Sequence, residues 1–184
     1  MPILRTLYCL FILLFSFSLL AQSSGFDAIS NLFSNGSYAK VLESLKTYKP
    51  KKKSLRAEKE YFKGISESRL EQFDPATKSL KRAIALGSKR KDIYYELGQA
   101  YYGNNDLPLA QKYFIQSAKS GFKPSISYYY VAYSNQILED YDGAKKYYGL
   151  MLGQKDASKD YLQIANYQLA EILHELAIKK DDPK

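Results

Sequence analysis

The feature of this sequence that most constrains its fold is that it resembles itself at a spacing of 34 residues. When the chain is shifted by that amount, small residues fall on small ones and large residues on large ones. The small positions are Gly64, Gly98 and Ala132, and also Ala76, Ala110 and Ala144. The large positions are Tyr61, Tyr95 and Tyr129, and also Leu80, Phe114 and Tyr148. A fixed spacing of this length predicts a structural unit that recurs along the chain.

Each unit has the pattern of two helices. In the segment 92–114, DIYYELGQAYYGNNDLPLAQKYF, apolar residues recur every three or four positions on both sides of the polar stretch 103–106. That spacing places them on one face of a helix. Glycine, asparagine and aspartate in the polar stretch favour the end of one helix and the start of the next. The pattern therefore predicts two antiparallel helices joined by a short turn.

The small residues explain how the two helices of a unit can pack. Helices approach closely only where a side chain at their crossing lacks bulk, so we expect Gly98 and Ala110 at the crossing. Aromatic side chains would fill the space beside them. The same positions in the neighbouring units are held by Gly64 with Ala76, and by Ala132 with Ala144. One pair cannot bury both of its faces whereas stacked pairs can, so the sequence predicts an all-α solenoid of stacked antiparallel helix pairs.

The order of residue types within the unit resembles the tetratricopeptide repeat. Residues 91–124 match nearly the whole motif, through YYELGQAYY, Asp106, Ala110 and the pair YF. Residues 125–158 and 57–90 also match, and residues 22–56 match weakly, in a frame offset by about one residue. The resemblance implies a repeat solenoid over residues 22–179.

A longer amphipathic helix is predicted over residues 159–179, after the last repeat. The open end of a solenoid requires a helix with one polar face, so we interpret this segment as a cap. Residues 180–184 are expected to form a frayed tail. The predicted apolar stripe consists of Leu162, Ala165, Leu169, Ile172, Leu173 and Leu176.

The first 21 residues are predicted to be a secretory signal. Arg5 precedes an apolar run from Leu7 to Leu20, which is short for a membrane span, and small or polar residues follow from Ala21. Cleavage after Ala21 or Ser23 would send the chain to the periplasm or outside the cell. An uncleaved membrane anchor is the alternative. The only cysteine, Cys9, lies within the apolar run, so the mature chain would contain none.

Residue types that catalysis or cofactor binding would need are scarce. His174 is the only histidine, so a typical zinc site has no second histidine or cysteine ligand in the mature chain. The sequence has no GxxxxGK[ST] or GxGxxG phosphate loop and no GxSxG turn. We therefore predict that the protein is not an enzyme and has no metal or cofactor.

The resemblance implies instead that the first helices of the repeats line a concave groove that binds a partner. Tyrosine suits peptide capture because it combines a flat apolar ring with a polar tip. The alternative is that these side chains only pack one repeat against the next. The positions that resemble groove positions are Tyr61, Ile65, Arg69, Asp92, Tyr95, Gln99, Tyr102, Tyr129, Tyr133 and Gln136.

The whole chain carries a formal net charge of +8, and a second candidate surface is the basic run over residues 46–59. Such a run could face an anionic membrane surface or an acidic partner, or form a solvated linker. It contains no recognisable nucleic-acid-binding module, so we do not expect a nucleic-acid partner. The predicted function is a non-catalytic protein–protein interaction scaffold or adaptor of the cell envelope. The alternatives are a protein attached to the membrane surface and a scaffold subunit of an enzyme complex.

Overall fold

The structure is a computed structural model, and it describes residues 25–181. These residues form nine α-helices and no strand. The helices are α1 (25–34), α2 (Tyr38–Thr47), α3 (Lys53–Arg69), α4 (Phe73–Ala85), α5 (Ile93–Gly103), α6 (Leu107–Lys119), α7 (Pro124–Ile137), α8 (Tyr141–Leu152) and α9 (Lys159–Asp181). The predicted signal segment 1–21 and residues 182–184 of the predicted tail lie outside the described residues.

The backbone repeats at the same 34-residue spacing as the sequence. The second helices of three successive pairs, α4, α6 and α8, begin at residues 73, 107 and 141. Their first helices, α3, α5 and α7, end at residues 69, 103 and 137. Glu71, Asn105 and Glu139 adopt left-handed conformations in the three turns, with φ of 58°, 58° and 59°. The helix boundaries and turn geometry therefore recur in register.

The turns close with a hydrogen bond that reaches back into the preceding helix. The backbone N–H groups of Gln72, Asp106 and Asp140 donate to the carbonyl groups of Glu67, Tyr101 and Asn135 at 2.8, 2.9 and 2.9 Å. This bond satisfies a carbonyl that the helix end would otherwise leave unpaired. The first pair is offset by one residue, because its left-handed residue is Gly36 and Ser37 donates to Leu32.

Neighbouring helices pack in sequence to form one continuous stack. Contacts within pairs join α3 to α4, α5 to α6 and α7 to α8, and contacts between pairs join α2 to α3, α4 to α5, α6 to α7 and α8 to α9. The protein is therefore an all-α solenoid of stacked antiparallel helix pairs with a C-terminal helix, and this confirms the fold class expected from the sequence.

The small residues allow close packing within each pair. A Cβ atom added at Gly64 would lie 2.6 Å from Leu80, and one added at Gly98 would lie 2.8 Å from the Phe114 ring. The residue that packs directly against Gly98 is thus Phe114, which lies one helical turn after the expected Ala110. The four predicted alanines are fully buried, namely Ala76, Ala110, Ala132 and Ala144.

The C-terminal helix α9 covers the last pair with part of its predicted apolar stripe. Ala165 and Ile172 are buried, but Leu173 is 50% exposed. Assigning Leu173 to the buried stripe was therefore wrong, because Leu173 lies outside the face of α9 that packs against α8. Within residues 25–181, no helix is both long enough and apolar enough to cross a membrane.

Candidate functional site

The first helices of the pairs, α3, α5 and α7, together with α9, form a surface that we call the first-helix face. The predicted groove residues on it differ in accessibility. Tyr61, Ile65 and Tyr95 are buried, with 4%, 3% and 8% of their surface exposed. Arg69 is exposed, and the remaining predicted residues are partly exposed, namely Asp92, Gln99, Tyr102, Tyr129, Tyr133 and Gln136.

Several of these side chains join one repeat to the next. The Tyr61 hydroxyl donates to the Asp92 carboxylate at 2.6 Å, and the Arg69 guanidinium donates to Glu96 at 3.0 Å. Burial and the bond to Asp92 raise the pKa of the Tyr61 hydroxyl. At this joint between α3 and α5, predicted groove residues therefore support the stack, and the buried Tyr61 offers a partner little free surface.

Glu96 was not among the predicted site residues, although it occupies the centre of this joint. Its side chain is buried, and burial raises its pKa despite the opposing effect of Arg69. A buried carboxylate is costly in its ionised form unless it is fully paired. The only signal in the sequence for the role of Glu96 at this joint is its position on α5, one helical turn after Asp92.

Further along the first-helix face, tyrosines from four helices meet in what we call the tyrosine cluster. Its members are Tyr102 on α5, Tyr129, Tyr130 and Tyr133 on α7, Tyr148 on α8, and Tyr161 on α9. The rings of Tyr129 and Tyr133 are stacked, with centroids 6.0 Å apart, and Tyr161 meets Tyr129 edge-on at 5.4 Å. Tyr102 meets Tyr130 at 5.3 Å. The cluster thus continues across α5, α7 and α9.

A chain of hydrogen bonds that begins at the buried Tyr148 links the cluster to α9. Tyr148 is fully buried, and its hydroxyl donates to the Gln136 side chain at 3.1 Å. Gln136 in turn donates to the Gln168 side chain at 2.7 Å, which links α7 to α9. Burial raises the pKa of the Tyr148 hydroxyl, so that hydroxyl remains a neutral donor.

The outer tyrosines of the cluster retain unused hydrogen-bonding groups. Tyr102, Tyr129 and Tyr133 are partly exposed, and within residues 25–178 their hydroxyls have no hydrogen-bond partner. Burial is the main cause that raises the pKa of the Tyr102 and Tyr129 hydroxyls, and neighbouring phenol groups raise it further. The cluster therefore offers flat apolar rings and neutral hydroxyl donors and acceptors.

Sequence reasoning missed half of the cluster. It named Tyr102, Tyr129 and Tyr133, but omitted Tyr130, Tyr148 and Tyr161 from the site. Tyr148 had been recognised only as a large core position, and Tyr161 lies on the segment interpreted as a cap. Tyr161 follows Tyr129 by 32 residues, which is close to the 34-residue spacing of the repeats. This spacing could have indicated that the two tyrosines are neighbours.

The basic run and the histidine lie elsewhere on the surface. Lys49, Lys51 and Lys52 are exposed between α2 and α3, and Lys53 is exposed at the start of α3. His174 is exposed on α9 and borders a cleft of about 480 Å³. Across the part of the chain that the structure describes, no three acidic, histidine or cysteine side chains are arranged to hold a metal ion.

Comparisons of the chain with protein-family models and with curated proteins find no match.

Proposed function

We propose that this protein is a non-catalytic interaction module, similar to a tetratricopeptide-repeat protein, that holds a peptide segment of a partner on its first-helix face. The observation that carries the proposal is the tyrosine cluster. Partly exposed rings from three successive layers of the stack form one continuous surface, and no side chain or backbone group within residues 25–178 uses the hydroxyls of Tyr102, Tyr129 and Tyr133.

The physical properties of the cluster favour capture of a peptide. A tyrosine ring buries a large area while losing little conformational entropy, because it has only two side-chain torsions. The ring contacts and the Gln136–Gln168 bond also hold the cluster in place before a ligand arrives. Binding to such a preorganised surface loses less free energy to ordering. The buried residues Tyr61 and Tyr95 would contribute by fixing the spacing of the repeats.

Affinity isolation from the native host tests the proposal. The full-length protein is compared with the double variant Tyr102→Ala and Tyr133→Ala. Loss of two ring contacts should lower retention of the bound partner at least about tenfold. Tyr167→Ala is the matched control, because Tyr167 is 62% exposed on α9, outside the cluster. Equal retention by the double variant, with an unchanged circular dichroism spectrum, would refute the proposal.

We also propose that the mature protein acts in the cell envelope after export. The support is the sequence of residues 1–21, with its apolar run between Arg5 and Ala21. Mass spectrometry of the protein from its native host should find a mature chain beginning at Gln22 or Ser24. An intact Met1 in the membrane fraction would favour the anchored alternative instead.

A further inference from the structure

The connections between the helices lie at two opposite edges of the molecule. Successive helices of the stack run antiparallel, so every turn within a pair lies at one edge and every loop between pairs at the other. We call these two sides the turn edge and the loop edge. The turns are residues 35–37, 70–72, 104–106 and 138–140, and the loops are residues 48–52, 86–92, 120–123 and 153–158.

The loops pack beside the starts of the first helices. Tyr48 contacts Phe26 at the start of α1, with ring centroids 6.1 Å apart. Asp156 accepts a hydrogen bond from the Ser125 N–H at the start of α7, at 3.2 Å. The first helices therefore begin at the loop edge, and residue 25, at the start of α1, lies there too.

The two edges carry opposite charge. The charged residues of the turns are all acidic, namely Glu71, Asp106, Glu139 and Asp140. Every loop contains lysine or arginine, and each of these side chains is exposed. They are Lys49, Lys51, Lys52, Lys89, Arg90, Lys91, Lys123 and Lys155, together with Lys53, Lys119 and Lys159 at the adjoining helix ends.

Most of this positive charge is not neutralised by the protein. Within residues 25–178, Arg90 is the only member of the set in an ion pair, and its partner is Glu58. Lys123 lies over a tyrosine ring, a contact that leaves its charge in place. Asp92 and Asp156 are the acidic residues of the loops, and both already accept hydrogen bonds from the protein. The loop edge therefore remains strongly positive.

We propose that the loop edge binds an anionic membrane surface. Its cations come from four successive loops, so they form a row along the stack, and such a row matches an extended surface of lipid headgroups. Each lysine or arginine held near an anionic membrane strengthens binding about fivefold. The acidic turn edge would be repelled, and this sets the orientation of the protein on the membrane.

The position of residue 25 favours a membrane over an acidic protein partner. In the sequence, the apolar run from Leu7 to Leu20 comes shortly before this residue of the loop edge. A retained run would enter the bilayer beside the lysines, and each contact would strengthen the other. A removed run would leave a positive α-amino group there. Tyr102 and Tyr133 lie near the opposite ends of α5 and α7, so this proposal does not depend on the proposed function.

Sedimentation with lipid vesicles tests this inference. The protein purified from its native host is mixed with vesicles of equal parts phosphatidylglycerol and phosphatidylcholine, or of phosphatidylcholine alone. The loop-edge variant removes one lysine from each of three loops, through Lys51→Gln, Lys91→Gln and Lys155→Gln. The matched control removes three exposed lysines from the halves of second helices nearer the turn edge, through Lys40→Gln, Lys78→Gln and Lys145→Gln.

We expect the protein to prefer the anionic vesicles. The loop-edge variant should lose at least about tenfold in affinity for them, and the control variant less than about threefold. Raising the ionic strength from about 0.1 M to about 1 M shortens the Debye length from about 10 Å to about 3 Å and should remove the preference. Circular dichroism checks that both variants are folded.

Three results would overturn this inference. Equal binding to both kinds of vesicle would show that the charge of the edge does not attract lipid. Equal losses in the two variants would show that net charge alone matters and that the loop edge is not the contact. Binding to soluble polyglutamate without binding to the anionic vesicles would assign the edge to an acidic protein partner instead.

Discussion

Glycine at position 98 determines how closely α5 and α6 approach. An added Cβ atom would lie 2.8–3.0 Å from three atoms of the Phe114 ring, and that ring is fully buried. Since the ring is enclosed in the core, a methyl group at this position must displace the ring or the helices. The same relation holds between Gly64 and Leu80, one repeat earlier.

We therefore predict that Gly98→Ala destabilises the protein by about 1–3 kcal/mol, the usual cost of overpacking a core. Gly149→Ala is the matched control, because Gly149 lies within α8 and has nothing within 4 Å of an added Cβ atom. It should stabilise the protein by roughly 0.5–1 kcal/mol, since alanine is the better helix former. Urea unfolding measures both effects. Equal shifts for the two variants would disprove the close contact.

The buried carboxylate of Glu96 makes stability depend on pH. Burial raises its pKa in the folded state, so the folded protein holds this proton more tightly than the unfolded chain. Its contribution to stability is therefore full below the unfolded-state pKa, which is about 4.3, and declines as the pH rises through the raised folded-state value.

Glu96→Gln should accordingly gain stability relative to the wild type as the pH rises from about 4 toward neutrality. The measurement is the free energy of unfolding of both proteins across this range. Glu175→Gln, at an exposed position on α9, is the control and should show no such trend. A difference between Glu96→Gln and the wild type that stays constant with pH would contradict this account of the joint.

At the scale of single helices, the starts of α6 and α8 depend on aspartate caps. Asp106 accepts a hydrogen bond from the Leu109 N–H at 3.2 Å, and Asp140 accepts one from the Gly143 N–H at 2.9 Å. Gln72 holds the equivalent position before α4 without such a bond. The residue three positions later there is Pro75, which has no N–H to donate.

Asp106→Ala is predicted to destabilise the protein by about 0.5–2 kcal/mol through loss of this cap. Asp142→Ala, in the first turn of α8 but not at its cap, should cost less, about 0.3–1 kcal/mol from the helix dipole. Thermal unfolding of the two variants gives the comparison. A cost at Asp142 equal to or larger than that at Asp106 would argue against the cap.

The helix pairs could be predicted from the sequence, whereas the details of their turns could not. Apolar spacing and the stretch 103–106 located α5, α6 and the turn between them. The left-handed conformation at Asn105 agrees with the preference of asparagine, but Glu71 and Glu139 adopt it without such a preference. The stacking of the pairs and the hydrogen bonds that close each turn impose this geometry, and single-residue propensity does not reveal it.

For the molecule as a whole, the 34-residue spacing was sufficient to predict a stacked all-α fold. The candidate site was harder to predict, because the exposure of each tyrosine depends on the angle between successive pairs. Tyr61 and Tyr129 are equivalent in sequence, yet Tyr61 is buried against Asp92 and Tyr129 is partly exposed beside Tyr133 and Tyr161. Contacts between residues about 30 positions apart decide this difference, and a sequence pattern does not specify them.

The central claim is that a partner contacts the tyrosine cluster. Site-specific photocrosslinking in the native host tests it most directly, with benzoylphenylalanine placed at position 133 or at position 167. The account predicts a discrete crosslinked species from position 133 that is absent from position 167. The same crosslinks from both positions, or a species from position 167 alone, would contradict it.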